Sequence, residues 1–210
     1  RNAYDLHDVL GNVEELCYDH YVENRLESLL DRDPGGPRPE NDLRVVRGAN
    51  FRTPFDQVTL HRRRGVPASD AASDIGFRVV FSEEPQPARI TEEQLLEMRD
   101  PLVRGRVDET LQRRTLDLGI EGESIPIEFV KLRIGDGGSR YLWVSRTEVP
   151  QRLWNVYMEA TDVGATGPDL PAVGMSFYDT RDFFKEVRKR KGGEFSFRLP
   201  TLGEWMAACG

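Results

Sequence analysis

Two thiols, three imidazoles and one run of arginines are the side chains of this chain with the most evident chemistry. Cys17 and Cys209 stand far apart in sequence, too few for an all-cysteine zinc cage or a disulfide-dense scaffold. They read as two free thiols, and Cys17 as a small buried hydrophobe. His7, His20 and His61 show no H-x-x-H-type spacing and read as ordinary surface or turn residues. The run His61, Arg62, Arg63, Arg64 has two readings. Clustered guanidinium groups suit a carboxylate or an anionic peptide. The same residues serve equally as surface and ion-pair arginines of an acidic protein. Asp8 and Glu15 flank Gly11, and taken alone they cap a turn through backbone N–H groups. No catalytic residue is expected from these patterns.

The elements that must position these groups fall into three pieces. In residues 1–81, Leu43 to Val46 reads as a short strand, Gly11 to Tyr18 as strand or irregular chain, and Arg32 to Pro39 as a loop. The piece closes on Asp74 to Phe81, a strand entered through a tight glycine turn. Residues 82–124 open on an exposed Glu83-Glu84-Pro85 signal and read as a linker carrying one short helix, Glu92 to Arg99, capped by Thr91. In residues 125–210, Ile125 to Ile134 and Tyr141 to Ser145 read as strands. Val149 to Met158 reads as a helix with Pro150 at its start, and Ser176 to Lys189 as the clearest helix. Phe177, Phe183, Phe184 and Val187 share one face of the latter, and Gly192-Gly193 stops it. Thr201 and Glu204 form the T-x-x-E capping box of a last helix, with Trp205 inside it. Trp143, Trp154 and Trp205 read as core anchors.

Composition narrows the function classes. The 210 residues carry 29 Lys and Arg against 36 Asp and Glu, a net charge of −7, which argues against a generalised nucleic-acid footprint. No apolar run is long enough to span a membrane. The 19 glycines and 13 prolines predict many turns and irregular segments. No charged-then-apolar leader is visible in this stretch, and the compartment is left open.

Arg198-Leu199-Pro200-Thr201-Leu202-Gly203-Glu204-Trp205 resembles the "RLPT-x-x-EW" signature of the formylglycine-generating-enzyme, or sulfatase-modifying-factor, family. Thr147-Glu148-Val149 is similar to that family's "TEV" segment, and the stretch Pro171 to Asp179 to its "P-V-x-x-V-S-W-x-D-A" segment. These elements belong to the N-terminal half of the family domain. Tyr4 to Leu16 resembles "YGLYDMHGNVWEW", Arg44 to Phe51 resembles "RVLRGGSW", and Asp74 to Val80 matches the closing "IGFRVV". These belong to the C-terminal half. The halves therefore stand in reverse order. Either the chain is a slice through a tandem array, the favoured reading, or it is a permuted domain whose halves pair.

The resemblance implies an α+β fold related to C-type lectins, with small twisted sheets, two main helices and much irregular structure. It implies a calcium site at the Asp8 side chain, the Gly11 and Val13 carbonyls and Glu15, with Glu14 and Leu16 in place of the family's tryptophans. Hard oxygens and a sharp glycine turn suit that ion. Oxidase members of the family bind copper(I) through two cysteines just after "RGGS"; Thr53 and Val58 stand there instead. Copper is therefore not expected, and iron, which related members hold through histidines of an added helical domain, is not expected because His7, His20 and His61 stand in unrelated contexts and no such bundle is visible. The function expected is a non-catalytic binding or scaffold module of a larger, bacterial multidomain protein, taking a peptide or partner protein. The arginine run, His61 to Arg64, lies where the family's ligand cleft is expected. A second copy or a flanking domain would complete the fold; no nucleic acid or membrane is expected as partner. The alternative is a metal-dependent oxidoreductase of the formylglycine-generating or sulfoxide-synthase type, with ligands partly outside this chain.

Overall fold

The computed structural model describes residues 1–23, 42–83, 111–120, 122–134, 140–161, 165–193 and 195–209. The loop expected at Arg32 to Pro39 and the helix at Glu92 to Arg99 lie outside these residues. The fold is α+β, with two four-stranded sheets and three helices among the described residues.

The first sheet has the order β3-β2-β1-β4, built from β1 (Glu14–His20), β2 (Leu43–Arg47), β3 (Arg63–Pro67) and β4 (Ile75–Gly76). β2 is antiparallel to both of its neighbours, and β4 runs parallel to β1. The second sheet has the order β5-β8-β7-β6 and is antiparallel throughout. It comprises β5 (Val80–Phe81), β6 (Arg113–Asp117), β7 (Pro126–Ile134) and β8 (Arg140–Ser145). The strand expected over Asp74 to Phe81 is thus two short strands in different sheets, and residues 77–79 carry the chain between them. The linker expectation fails at its end, because β6 pairs with β7 from Arg113↔Val130 to Asp117↔Pro126. β6 lies at the edge of the sheet with Leu116 its only aliphatic residue, so it needs little apolar sequence.

The helices are α1 (Gln151–Tyr157), α2 (Phe177–Arg190) and α3 (Leu202–Cys209). Pro150 is the N-cap of α1. A capping box starts α2, where Ser176 Oγ accepts from the Asp179 N–H at 3.2 Å and the Asp179 carboxylate accepts from the Ser176 N–H at 2.8 Å. Thr201 and Glu204 do the same for α3, at 3.2 and 2.8 Å.

The outer pieces of the chain share their cores. Phe77, from the first, meets Trp154, Phe183 and Phe184 edge-on at 5.9, 5.6 and 5.9 Å between ring centres. Phe81 packs on Phe129 at 4.9 Å and is stacked on Trp143 at 6.0 Å. A second cluster joins Tyr4, Leu6, Cys17 and Val45 to Val130, Leu142 and Trp205. Within one copy, then, the first and third pieces of the chain pack together. The approach of residues 75–80 to α2, on which the permuted arrangement depends, is present.

Candidate functional site

The loop after β2 stands where the resemblance places the copper thiols. Gly48 has φ +80°, and a Cβ there would meet the Val9 carbonyl oxygen at 3.1 Å, so this turn requires glycine. Asn50 then organises the loop. Its side-chain amide donates to Asp74 at 3.0 Å and to Glu14 at 3.3 Å, and its Oδ1 accepts from the Arg52 N–H at 3.0 Å. Thr53 Oγ1 is used inside this turn, accepting from the Asn50 N–H at 3.1 Å. Val58 follows the short 3-10 turn Phe55–Gln57 and is half-buried. Neither position offers a soft donor. The two thiols of the chain lie elsewhere, Cys17 fully buried in β1 and Cys209 at the end of α3. Burial pushes both upward, Cys17 well above the ordinary thiol range, so both stay protonated.

The arginine run divides by strand alternation. Arg62 and Arg64 reach Glu14, which is 1% exposed: Arg64 Nη2 donates to Glu14 Oε2 at 2.6 Å, and Arg62 Nε lies 3.7 Å from Oε1. Arg63 points the other way, donating to the Val22 and Glu23 carbonyls at 2.9 Å each and lying over the Tyr21 ring at 5.2 Å. His61 is exposed, and its carbonyl accepts from Arg47 at 3.1 Å. The ion-pair reading of this run therefore holds for Arg62 and Arg64. Glu14 thus stands where the resemblance places tryptophan, and it serves as the partner of these arginines.

The turn before β1 contains Asp8, Gly11 and Asn12 at φ +53°, +103° and +60°. The Asp8 side chain is exposed and has no partner among the described residues. Glu15 is different. It is 0% exposed, accepts from Arg78 Nη2 at 2.9 Å, and accepts from Trp205 Nε1 at 3.0 Å. Arg78 is itself 1% exposed and spends its other donors on the Ser145 and His7 carbonyls, both at 2.7 Å. Asp8 thus fits a calcium ligand, whereas Glu15 would have to share its oxygens between the ion, a guanidinium and an indole. No group of three or more His, Cys, Asp or Glu able to hold a metal occurs among the described residues.

Sequence reasoning missed a buried carboxyl. Glu148, between β8 and α1, is buried beside this pair, and Asn12 Nδ2 donates to it at 3.0 Å. Its carboxyl is pushed up to about 7, chiefly by burial and then by the Glu15 charge, against the pull of Arg78. Glu148 lines a cleft of about 380 Å³ together with Asp8, His7 and Arg146, while Glu15 and Arg78 lie buried behind it. The only sequence signal was an arginine inside the apolar run Gly76-Phe77-Arg78-Val79-Val80, which marks a buried charge in need of a partner.

Residues 1–83 match the family model of the sulfatase-modifying factor enzyme 1-like domain. Over this stretch the chain is similar to the sulfatase-modifying factor family. Its Arg44 to Phe51 and Asp74 to Val80 segments supply β2, the organising Asn50 loop, β4 and Arg78. No curated protein and no solved structure matches the chain. No helix among the described residues is long and apolar enough to cross a membrane.

Proposed function

We propose that this chain is a sulfatase-modifying-factor-like module that binds a peptide or a partner protein and performs no redox chemistry of its own. One observation carries the reading: the positions of the family's copper thiols are Thr53 and Val58, and the Thr53 oxygen is consumed inside a turn locked by Asn50. The charged network of Glu14, Asn50, Asp74 and Arg64 around that turn is self-satisfied, as befits a rigid presenting surface. The exposed aromatics Phe51 and Phe55, on and just after the loop, support a role in contact with another chain. Residues 125–210 are proposed as the family's N-terminal half, joined in reverse order to the C-terminal half in 1–81. The shared aromatic cluster of Phe77 and Phe183 supports this arrangement.

Metal analysis of the purified chain, paired with oxygen uptake in the presence of a cysteine-containing peptide, tests the reading. Substoichiometric copper and iron with no oxygen uptake is expected. Bound copper or iron together with oxygen uptake overturns the proposal and establishes the oxidoreductase alternative. A calcium ion held by Asp8 and the Gly11 and Val13 carbonyls, with Glu15 shared, belongs to the same proposal. Its test is a chelator-dependent fall in Tm that Asp8→Asn abolishes. Glu15→Gln is the poorer probe, because it strands buried Arg78 with or without the ion.

A further inference from the structure

A groove of about 890 Å³ runs along one face of α2, separate from the Asn50 loop and the Asp8 turn. Its walls combine two kinds of side chain. Tyr18 and Tyr178 are 45% and 37% exposed, and Phe177, Phe184 and Phe197 extend the apolar surface between them. Arg181, Lys185, Arg188 and Lys189 project along the same face, spaced so that they form a ladder on one side of the helix. Asp42 is the sole acid among the lining residues. On a chain of net charge −7 this is a local reversal of sign.

The floor is preorganised. Arg44 is 9% exposed, its guanidinium lies 3.9 Å above the centre of the Phe177 ring, and its Nε is buried without a hydrogen-bond partner. Arg198 is held in a bidentate fork by Glu204 at 2.6 and 2.7 Å. Among the described residues the ladder cations make exposed contacts: Lys185 to Asp182 at 2.6 Å, Lys189 to Glu186 at 3.8 Å, Arg188 to Ser196 Oγ at 3.1 Å, and Arg181 over the Tyr178 ring at 5.3 Å. Such pairs exchange readily for an incoming carboxylate.

We infer that this groove binds an extended acidic peptide segment whose carboxylates alternate with aliphatic or aromatic side chains. The inference rests on the reading of the chain as a peptide- or protein-binding module and assigns that module its site and the chemistry of its partner. From Arg181 to Lys189 the helix rises about 12 Å. A single phosphate cannot engage cations spread over that length, whereas about four residues of extended chain span it. Alternation then places carboxylates toward the ladder and apolar groups toward Phe177, Phe184 and Tyr18. Asp182 and Glu186, interleaved with the cations, disfavour a continuous phosphate backbone.

Fluorescence anisotropy with a labelled peptide of alternating glutamate and leucine tests the site on the full chain. Binding that weakens with added salt, and by about tenfold in the triple variant Arg181→Gln, Lys185→Gln, Arg188→Gln, is expected. These exposed positions leave Tm unchanged within error. The double variant Phe51→Ser, Phe55→Ser, outside the groove, retains binding. Absence of peptide binding, equal binding by the triple variant, or displacement of the peptide by an oligothymidylate overturns the assignment. Binding lost only with Phe51 and Phe55 overturns the groove and leaves the module standing. Copper- or iron-linked oxygen uptake removes the module reading itself.

Discussion

Replacing Glu148 by glutamine takes an ionisable group out of the interior with almost no change of volume. The acceptor that Asn12 uses is retained, and Arg78 keeps Glu15 and the Ser145 and His7 carbonyls. The Glu148 carboxyl has an ordinary value of 4.5 and is raised to about 7 in the folded chain, first by burial and second by Glu15. Between those two values the folded protein holds a proton that the unfolded chain has released, so stability falls as pH rises. The favourable contribution is complete below about 4.5 and gone above about 7. At 1.36 kcal/mol per tenfold, the interval is worth about 3 kcal/mol, an upper bound because Glu15 and Arg78 readjust together.

Urea unfolding of the natural chain and of Glu148→Gln, in chelating buffer across about pH 5 to 8, reads this directly. The two chains are expected to be nearly equal at the acid end. The variant is expected to gain between about 1 and 3 kcal/mol over the natural chain at the alkaline end. A variant that is less stable at about pH 8 refutes the reasoning, for it means that Glu148 is ionised and gains more from Arg78 than burial costs it. A gain that is the same at every pH refutes it too, since titration would then play no part.

Arg78→Leu strands Glu15, which is fully buried, and is expected to cost about 3–5 kcal/mol by denaturant unfolding; a loss below about 1 kcal/mol would contradict the buried pair. Phe183→Ala removes a ring that touches Phe77, Trp154 and Tyr157, and is expected to cost about 3–5 kcal/mol within a single cooperative transition. Two separated transitions, with residues 1–83 melting apart, would show the halves to be independent units. Ser176→Ala opens the capping box of α2 and should lower stability by about 1 kcal/mol, measured as a Tm shift; no shift would deny the cap its role.

Much of the framework was legible because its signals are local. The boundaries of β7, β8 and α2 lie within a residue or two of their apolar periodicity, and the capping box of α3 is written in a four-residue window, whereas that of α2 uses aspartate in place of the usual glutamate and went unread. β3 was not legible as a strand, because Arg63-Arg64-Gly65 has no apolar alternation and reads as chemistry instead. Its strand character comes from five register pairs with β2, and its charges are tolerated because Glu14 receives Arg64 from across the sheet. β6 escaped for a similar reason, as an edge strand whose charged side chains need no core. The buried triad of Glu15, Arg78 and Glu148 is assembled from three distant segments, and the groove along α2 from four. No spacing rule reaches across such separations. The resemblance located the thiol-less loop, and only packing revealed which acids are inward and paired.

Residues 77–81 tie the first piece of the chain to the third. This stretch leaves the first sheet after Gly76, and its backbone is then consumed by the second half: the Phe77 carbonyl accepts from Val149, the Val79 carbonyl from Ser145, and Val80 exchanges both bonds with Arg198. Its side chains alternate with equal economy. Phe77 enters the cluster of α1 and α2, Arg78 turns back to Glu15, Phe81 meets Phe129 and Trp143. A piece ending at residue 83 without the second half would expose Phe77, Val79 and Phe81 together and leave a strand edge unpaired. None of these contacts depends on how the halves are joined covalently, since each is a side-to-side pairing and not a turn.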